Sequence, residues 1–580
     1  MTARWCYETR PIASGSAIRA SPPLRASLRW EAHEDVTVDF IGSWLRSDTS
    51  GPAEKFDGAF FTPPGNRWVG AGAGFNFDGA LPNSSDPYRG TANEPQRSDA
   101  TVWTATLLVA WRAENFKFDS ITGYQSSDFF AHRDQDRSSL PISVLELTDK
   151  SRQVSQEFIV NSTWDRPFNY TFGTIYQYDW TPRTEVDTRN DQDSAAAVGF
   201  QLLPAFVGVS LVDGCPVPVN FPNFDPACPP TKQIGDPYET FTNALAEVEN
   251  HVFGLYGNLS WEIVEDLTLS AGGRFSYTYR DWNDKTVAQT YAELFGTLGL
   301  QILQIGKHQD RAWKAGTGKL SAEYQATDDN LFWTSVGTGS RAGGFNFTEE
   351  SPFGDEQILA VEAGIKNTFF DNRLTLNITG FWYDWTDPQI AAVENALPIT
   401  KNAPSAESFG VELEWRASPM DDLALNGTFG WLEAEYDEQF ISGDVTIQDF
   451  SQLDPRLRVT QINLEGNRLP RSPRFTASFG AQYTFDIGQW GTLTPRVDFY
   501  YRDEVNFRQY GNPADVADSY TRTDARLIWR SETGNFWGEV FGRNLENEEV
   551  KTNQEVLASI YRVHSFDAPI TGGLRVGYDY

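Results

Sequence analysis

Hydrophobic and polar residues alternate along much of this 580-residue chain, and the last ten residues, TGGLRVGYDY, show the pattern most clearly. One face of an extended strand there is apolar and carries Leu574, Val576, Tyr578 and Tyr580. The opposite face is small or charged and carries Gly573, Arg575, Gly577 and Asp579. Because successive side chains of a strand point to opposite sides, the pattern predicts a two-sided strand. Such a strand is typical of an outer-membrane β-barrel, although strands of a soluble β-sandwich also alternate.

Short polar gaps separate the alternating segments along the whole chain. In each gap an aromatic residue ends one strand, a few Asp, Asn, Gly or Pro residues follow, and a new alternation begins. These gaps lie at residues 30–36, 111–116, 164–170, 261–267, 324–331, 370–374, 415–423, 485–493 and 529–536. The polar residues in them favour tight turns. Nine turns predict eighteen strands, and the C-terminal segment adds one more, so we expect about 19 strands.

Long segments rich in Gly, Pro, Asn, Asp and aromatic residues lie between the strands at the other end, for example residues 47–101, 181–249 and 433–469. Short turns at one edge and long loops at the other are typical of bacterial outer-membrane barrels. The predicted fold class is therefore all-β, a transmembrane antiparallel β-barrel. We expect residues 24–580 to form the barrel with long extracellular loops, and residues 1–23 to be an irregular N-terminal segment.

Composition supports a membrane barrel and argues against other classes of protein. Aromatic residues make up 14% of the chain and include 19 Trp, which barrels place at the two membrane interfaces. There is no apolar run of 18 residues and the mean hydropathy is −0.45, but only every second barrel residue meets lipid. A net charge of −32 argues against binding nucleic acid.

Two of the three cysteines, Cys215 and Cys228, enclose the Pro-rich stretch CPVPVNFPNFDPAC. We expect them to form a disulfide in an extracellular loop, since such a pair suits an oxidising compartment. Two free thiols are the alternative. The first 23 residues contain no apolar core typical of a signal peptide, so we expect a mature chain or a fragment.

Several stretches together carry a resemblance to a known family. They are LFWTSVGTGSRAGGFNF (331–347), FGVELEWRASPMDDLALNGTFGW (409–431), LPRSPRFTASFGAQYTF (469–485), VFGRNLEN (540–547) and the closing strand. In this order they resemble the C-terminal β-barrel of a TonB-dependent outer-membrane receptor. The resemblance implies a barrel of the 22-strand type, plugged by an N-terminal domain. It also implies TonB-dependent uptake of a scarce nutrient, with a ferric siderophore first and cobalamin or a glycan as other candidates.

No plug-like region precedes Leu24, and by the turn count about three strands are missing. We therefore expect the plug-less barrel portion of a receptor, reached by TonB only through a plug absent from this chain. The expected location is the bacterial outer membrane, with lipid, lipopolysaccharide, the barrel-insertion machinery and a small-molecule substrate as partners of a monomer. A passive porin-like or structural barrel is the alternative. No catalytic set, cofactor motif or metal-ligand spacing of the five His residues points to an enzyme.

Two sets of residues are candidates for contact with a plug or a ligand. The first set, Arg341, Gly343, Gly344 and Asn346, lies where a strand runs into a loop, and Gly-Gly permits close backbone approach. A bulge at the barrel rim is the alternative. The second set consists of the predicted lumen arginines Arg274, Arg496, Arg526 and Arg575. They could hold carboxylates of a plug or an anionic substrate, or pair with neighbouring Asp residues within the wall.

Overall fold

The structure is a computed structural model. It describes residues 2–5, 21–49, 54–59, 96–134, 143–190, 240–285, 287–292, 299–304, 307–346, 352–394, 397–448, 459–557 and 561–579. Cys6, Cys215, Cys228 and Tyr580 lie outside these residues, so the disulfide stays a prediction. No helix in the described ranges is long and apolar enough to cross a membrane.

The wall is one antiparallel sheet in which each strand pairs with the next along the chain. Its first half consists of β1 (Thr2–Trp5), β2 (Ser21–His33), β3 (Val36–Thr49), β5 (Arg97–Arg112), β6 (Phe116–Asp134), β7 (Ser143–Ser162), β8 (Phe168–Asn190), β9 (Thr240–Val264), β10 (Leu267–Asp284) and β13 (His308–Thr327). Its second half consists of β14 (Asn330–Arg341), β15 (Glu356–Phe369), β16 (Leu374–Thr386), β19 (Ser405–Met420), β20 (Leu423–Glu435), β23 (Phe475–Tyr483), β25 (Thr492–Arg502), β28 (Tyr520–Arg530), β29 (Phe536–Arg543) and β32 (Thr571–Tyr578).

Shorter strands lie outside this meander. They are β4 (Glu54–Ala59), β11 (Val287–Ala292), β12 (Gly299–Gln304), β17 (Gln389–Glu394), β18 (Leu397–Asn402), β21 (Ile441–Gln448), β22 (Val459–Asn463), β24 (Phe485–Asp486), β26 (Val505–Asn506), β27 (Val516–Ala517), β30 (Lys551–Leu557) and β31 (Tyr561–Phe566). Two short 3-10 helices, Gly488–Trp490 and Pro513–Asp515, complete the described elements. Most of these short strands form hairpins within the long loops.

All nine predicted tight turns are present, and the predicted all-β barrel fold is confirmed. The nineteen strands expected from the sequence run from β2 to β32, and β1 is one more. Residues 1–23, expected to be irregular, contain two pieces of strand. Thr2–Trp5 pairs with residues 26–29, and β2 already begins at Ser21. The sequence does not predict β1 because its residues alternate only weakly. This strand is formed by pairing with β2.

The strands have two chemically different faces, named here the outer face and the lumen face. In β10, Leu269 and Phe275 lie on the outer face and are exposed, whereas Arg274 and Arg280 lie on the lumen face. Neighbouring strands keep the same register: Leu269 lies opposite Trp261 of β9, so apolar residues meet across strands. An apolar outer face and a polar lumen face are what a lipid-embedded barrel requires.

The seam between the first and last wall strands is bridged by loops. Among the described residues, no backbone pairing joins β32 to β1 or β2. Above the seam, however, β31 of the last loop pairs antiparallel with β4 of the first loop. Leu574 and Val576 of β32 are 71% and 76% exposed, more than the other outer-face aliphatic residues of the described wall. The loops thus connect the two ends of the sheet.

Candidate functional site

The lumen face carries ion pairs between residues two apart in one strand. The Nε atom of Arg496 donates to Asp498 at 2.9 Å. Arg522 donates to both oxygens of Asp524, from Nε at 3.0 Å and from Nη2 at 3.2 Å. Because residues i and i+2 point to the same side, the strand itself aligns each guanidinium with its carboxylate. These pairs are partly exposed, so each contributes about 1 kcal/mol or less.

Three of the predicted lumen arginines contact carboxylates of the wall. Arg526 lies directly opposite Arg496, and its Nη2 atom is 3.7 Å from the carboxylate of Asp498. Arg575 donates to Glu539 of the adjacent strand at 3.1 Å. These are the contacts expected if the arginines pair within the wall. Shared carboxylates also explain how two arginines can face each other directly.

Arg274, the fourth predicted arginine, has a different environment on β10. Its Nε atom donates to the hydroxyl of Ser276 at 3.0 Å, and its guanidinium lies 5.7 Å from the ring centroid of Tyr256. The Tyr256 hydroxyl in turn donates to Glu157 at 2.7 Å. Arg274 is separated along the sheet from the other three arginines, so the structure does not bring the four together as one site.

The predicted rim residues lie together, in the segment that leaves β14. Arg341 ends that strand and is 3.5 Å from Glu356. Gly344 forms an antiparallel bridge with Phe353. Asn346 accepts from the backbone N–H of Thr400 at 2.8 Å and donates to its carbonyl at 2.9 Å. The segment is therefore fixed by backbone and amide contacts to two other loop segments.

Gly343 is required by close packing at this rim. A Cβ atom there would lie 2.2 Å from the carbonyl oxygen of Phe353 and 2.6 Å from the indole nitrogen of Trp313. Its carbonyl accepts from Arg280 at 3.1 Å, and the Arg280 guanidinium is 5.9 Å from the Trp313 ring. Close backbone approach, which the Gly-Gly pattern predicts, thus joins this segment to the lumen wall at Arg280.

An apolar core lies within the loops above the second half of the wall. It is built from residues of three loops and of the start of β19, namely Ile390, Ala403, Ala406, Tyr436, Leu464 and Tyr510. Gln509 donates to the carbonyl of Ala391, and Asn467 donates to the carbonyl of Gln509 at 3.0 Å. Burial raises the pKa of the Tyr436 and Tyr510 hydroxyls, so both are neutral at physiological pH. These loops form one packed layer, named here the packed loop layer.

A buried ionic network continues from the packed loop layer. Arg508 donates to Asp444 at 3.0 Å and to Asp515 at 2.8 Å, and both carboxylates are fully buried. Gln554 donates from Nε2 to the other oxygen of Asp515 at 2.5 Å, and its Oε1 atom accepts from Nε2 of His564 at 2.9 Å. Ion pairs therefore link two loops, and a hydrogen bond from Gln554 to Asp515 adds a third loop. Paired, hydrogen-bonded burial is the condition under which such charges are stable.

Sequence reasoning did not single out Arg508, Asp444 or Asp515. Asp444 and Arg508 are 64 residues apart and meet only through the fold. The strand repeat identifies lumen arginines but gives no signal for loop residues. His33, Glu34 and Asp35 have ligand atoms within 4.8 Å of one another, but they lie in an exposed turn, and exposed groups of this kind are common without a metal.

An antiparallel wall with an apolar outer face, a charged lumen face and long loops at one end defines an outer-membrane β-barrel. A model of the family "TonB dependent receptor-like, beta-barrel" matches residues 30–547. The chain belongs to this family of receptors of the Gram-negative outer membrane. Members of the family are transport receptors.

Relatives and solved structures agree with this membership. The pesticin receptor of Yersinia pestis is 28% identical over 288 residues, which is 48% of this chain and 36% of the relative. The ferric yersiniabactin uptake receptor from Yersinia pestis has a TM-score of 0.67 at 17% identity, covering 97% of this chain and 71% of that one. A siderophore receptor from Acinetobacter baumannii has a TM-score of 0.66 at 14% identity, covering 98% and 75%. The match thus spans about a third of the curated relative.

Proposed function

We propose that this barrel takes part in TonB-dependent uptake of a scarce small-molecule nutrient, with a ferric siderophore as the first candidate and cobalamin or a glycan next. Support for the siderophore comes from relatives whose names state ferric yersiniabactin or siderophore uptake. These names describe those proteins only. The proteins share the fold with this chain at low sequence identity. The proposal extends their chemistry to this barrel.

The observation that carries the proposal is a charged, aromatic lumen that continues into fixed loops. At the rim, Trp282 and Trp313 pack around Phe345, at ring-centroid distances of 6.4 and 5.8 Å. Across the loops, the packed loop layer and the Arg508 network hold their segments in place. Rigid aromatic and cationic surfaces at the mouth of a barrel suit the recognition of a bulky, polar small molecule.

Coupling to TonB, in this proposal, requires a plug domain, and no such domain is among the residues that the structure describes. The test therefore uses two forms of the 580-residue chain, each behind a signal peptide, in a strain without siderophore receptors of its own. One form is the chain alone. The other is preceded by the plug domain of the ferric yersiniabactin uptake receptor. Both are given a panel of ferric chelates under iron limitation.

We expect the plugged form to support growth on at least one ferric chelate, and this growth to disappear when TonB is deleted. The chain alone should give no TonB-dependent growth, and any permeation should resemble that of a passive pore. Matched outer-membrane amounts of the two forms are the control. Growth on none of the chelates by a correctly inserted plugged form would contradict the siderophore assignment. TonB-dependent growth by the chain alone would contradict the need for a plug.

A further inference from the structure

A small sheet crosses the seam of the wall on its extracellular side, and it is named here the seam strap. It consists of the hairpin β30–β31 from the loop between β29 and β32, with β4 from the loop between β3 and β5 as its third strand. The register of β31 with β4 runs from Tyr561 opposite Ala59 to Ser565 opposite Glu54. The seam strap therefore ties the last loop of the chain to the loop after β3, above the extracellular ends of β2 and β32.

Strand pairing alone does not account for the order of the seam strap. Its third strand, β4, is six residues long and pairs only with β31 among the strands that the structure describes. Small sheets are marginally stable in water unless one of their faces packs against other elements. The seam strap therefore depends on support from elsewhere in the molecule.

The seam strap is supported by buried side chains of β30 and β31. Val563 and His564 of β31 are each 2% exposed, and Gln554, opposite His564 on β30, is also buried. The Nε2 atom of His564 donates to Oε1 of Gln554 at 2.9 Å, and the Nε2 atom of Gln554 donates to Asp515 at 2.5 Å. Because these atoms are buried, water does not replace a partner that is removed, and the loss of a partner is costly.

Asp515 is the residue at which the seam strap meets the packed loop layer. Its other oxygen accepts from Nε of Arg508 at 2.8 Å, and Arg508 belongs to the same loop as Tyr510 of the apolar core. A second hydrogen bond to the strap, from Arg471 to Asn553, is exposed, so water can take its place. The buried contact of Asp515 with Gln554 is therefore the stronger connection between the strap and the packed loop layer.

From these contacts we propose that the seam strap closes the wall at its extracellular end, and that the contact of Asp515 with Gln554 holds the strap shut. Among the described residues, the wall strands on the two sides of the seam share no backbone pairing, and the strap connects their loops. Loss of the contact releases β4 from β31 and lets the extracellular ends of β2 and β32 move apart. The packed loop layer thereby controls the width of the seam without touching it.

The first test is hydrogen exchange of the refolded 580-residue protein in lipid nanodiscs, because amide exchange measures local opening. Asp515→Ala should speed exchange in residues 54–59 about tenfold or more, although Asp515 is connected to β4 only through β30 and β31. If exchange rises in residues 503–519 and stays unchanged in residues 54–59, the proposal is wrong, because Asp515 would then act only on its own loop.

Glu157→Ala is the matched control for this exchange experiment. It also removes a carboxylate that accepts a hydrogen bond, here from the Tyr256 hydroxyl at 2.7 Å, but it lies in the wall on β7. Because distant sites act independently, it should leave exchange in residues 54–59 within about twofold of wild type. Equal increases in residues 54–59 for Glu157→Ala and Asp515→Ala would overturn the proposal, since general loosening of the barrel would then explain both.

A second measurement follows the seam itself with pairs of spin labels. The labels are attached at Leu24→Cys and Leu574→Cys, two exposed outer-face positions near the extracellular ends of β2 and β32. The native cysteines are replaced by serine in this background, namely Cys6, Cys215 and Cys228. Asp515→Ala should lengthen and broaden the distance between the two labels. An unchanged distance would overturn the control of the seam by the strap.

A control pair and a second variant complete the label experiment. Labels at Trp30→Cys and Tyr578→Cys lie near the opposite ends of β2 and β32, so their distance should not change in Asp515→Ala. Equal lengthening of both pairs would contradict the strap, because the whole seam would then have loosened. Gln554→Leu covers a failure of Asp515→Ala to fold, since it keeps the pair of Asp515 with Arg508. It should widen the extracellular pair as well, and an unchanged distance in Gln554→Leu would also overturn the proposal.

Discussion

The two sides of the barrel extend above the membrane by different means. On one side, named here the long-strand side, β7, β8 and β9 are 20, 23 and 25 residues long. On the other side, β25, β28 and β29 are 11, 11 and 8 residues long, and the packed loop layer lies above them. A membrane strand needs about 9–11 residues. On the long-strand side, therefore, paired strands extend beyond the membrane. On the other side, the part beyond the membrane consists of loops held together by packed side chains.

The two sides are stabilised by different interactions. On the long-strand side, the backbone hydrogen bonds between paired strands hold the extensions together. Exposed side chains there contribute little to the free energy of unfolding. The packed loop layer instead depends on buried residues from separate loops, such as Leu464 and Asp515. Single substitutions should therefore affect the packed loop layer strongly and the long-strand side weakly.

The largest effect should follow from Asp515→Ala. This change removes the acceptor of Arg508 Nε and of Gln554, and each donor left without an acceptor costs about 1–3 kcal/mol, while Arg508 keeps its pair with Asp444. On the long-strand side, Glu185→Ala removes the pair with Arg183, which should cost about 1 kcal/mol or less. Hydrogen exchange of peptides from residues 503–519 and 168–190 measures both. Similar increases in exchange for the two variants would break the comparison.

A second prediction tests what both sides share, the outer face. Leu269→Arg places a charge toward lipid, at a cost of about 2–4 kcal/mol near the midplane and less near an interface. Ser270→Arg, the adjacent lumen-face residue, should be tolerated because the lumen is polar. Refolding yield into lipid vesicles should therefore fall much further for Leu269→Arg. Equal yields would mean that the two faces are wrongly assigned.

The third prediction compares a glycine of the rim with one of a strand. Gly343→Ala forces a Cβ atom into the Phe353 carbonyl, and such overpacking costs about 1–3 kcal/mol. In β13, a Cβ at Gly316 would have nothing within 4 Å, so Gly316→Ala should stay within about 0.5 kcal/mol or stabilise. Thermal unfolding in detergent compares the two. A harmless Gly343→Ala would show that the rim segment rearranges freely.

The sequence predicts the wall much better than the loops, for a physical reason. Alternation and turn residues are local, so β10, its two faces and the turn after Trp261 are all readable from neighbouring residues. The rim pattern at Gly343 is also local, since two glycines indicate close approach. The contact of Arg508 with Asp444, by contrast, is set by the relative placement of two loops.

The smallest effect concerns alkaline pH and the packed loop layer. Burial raises the pKa of the Tyr510 hydroxyl, which also lies 3.4 Å from the Ser442 hydroxyl. The Tyr510 hydroxyl therefore binds its proton more tightly in the folded loops than in the unfolded chain. The resulting stability is fully present below the ordinary tyrosine pKa of about 10 and is lost as pH rises through the higher folded value.

Tyr510→Phe should then have opposite consequences at neutral and at alkaline pH. Near pH 7 the variant loses one long hydrogen bond, at a cost of about 0.5–1 kcal/mol. Near pH 11 it should be better protected than wild type, because a buried phenylalanine has no proton to lose.

Tyr436, whose pKa burial also raises, keeps part of the alkaline sensitivity, so Tyr436→Phe combined with Tyr510→Phe should remove more of it. Limited proteolysis across pH 7–11 measures the crossover, with peptides from β7, which contains no tyrosine, as the internal control. If proteolysis of the loops in Tyr510→Phe increases with pH as much as in wild type, ionisation of the Tyr510 hydroxyl is not what destabilises the loops at high pH.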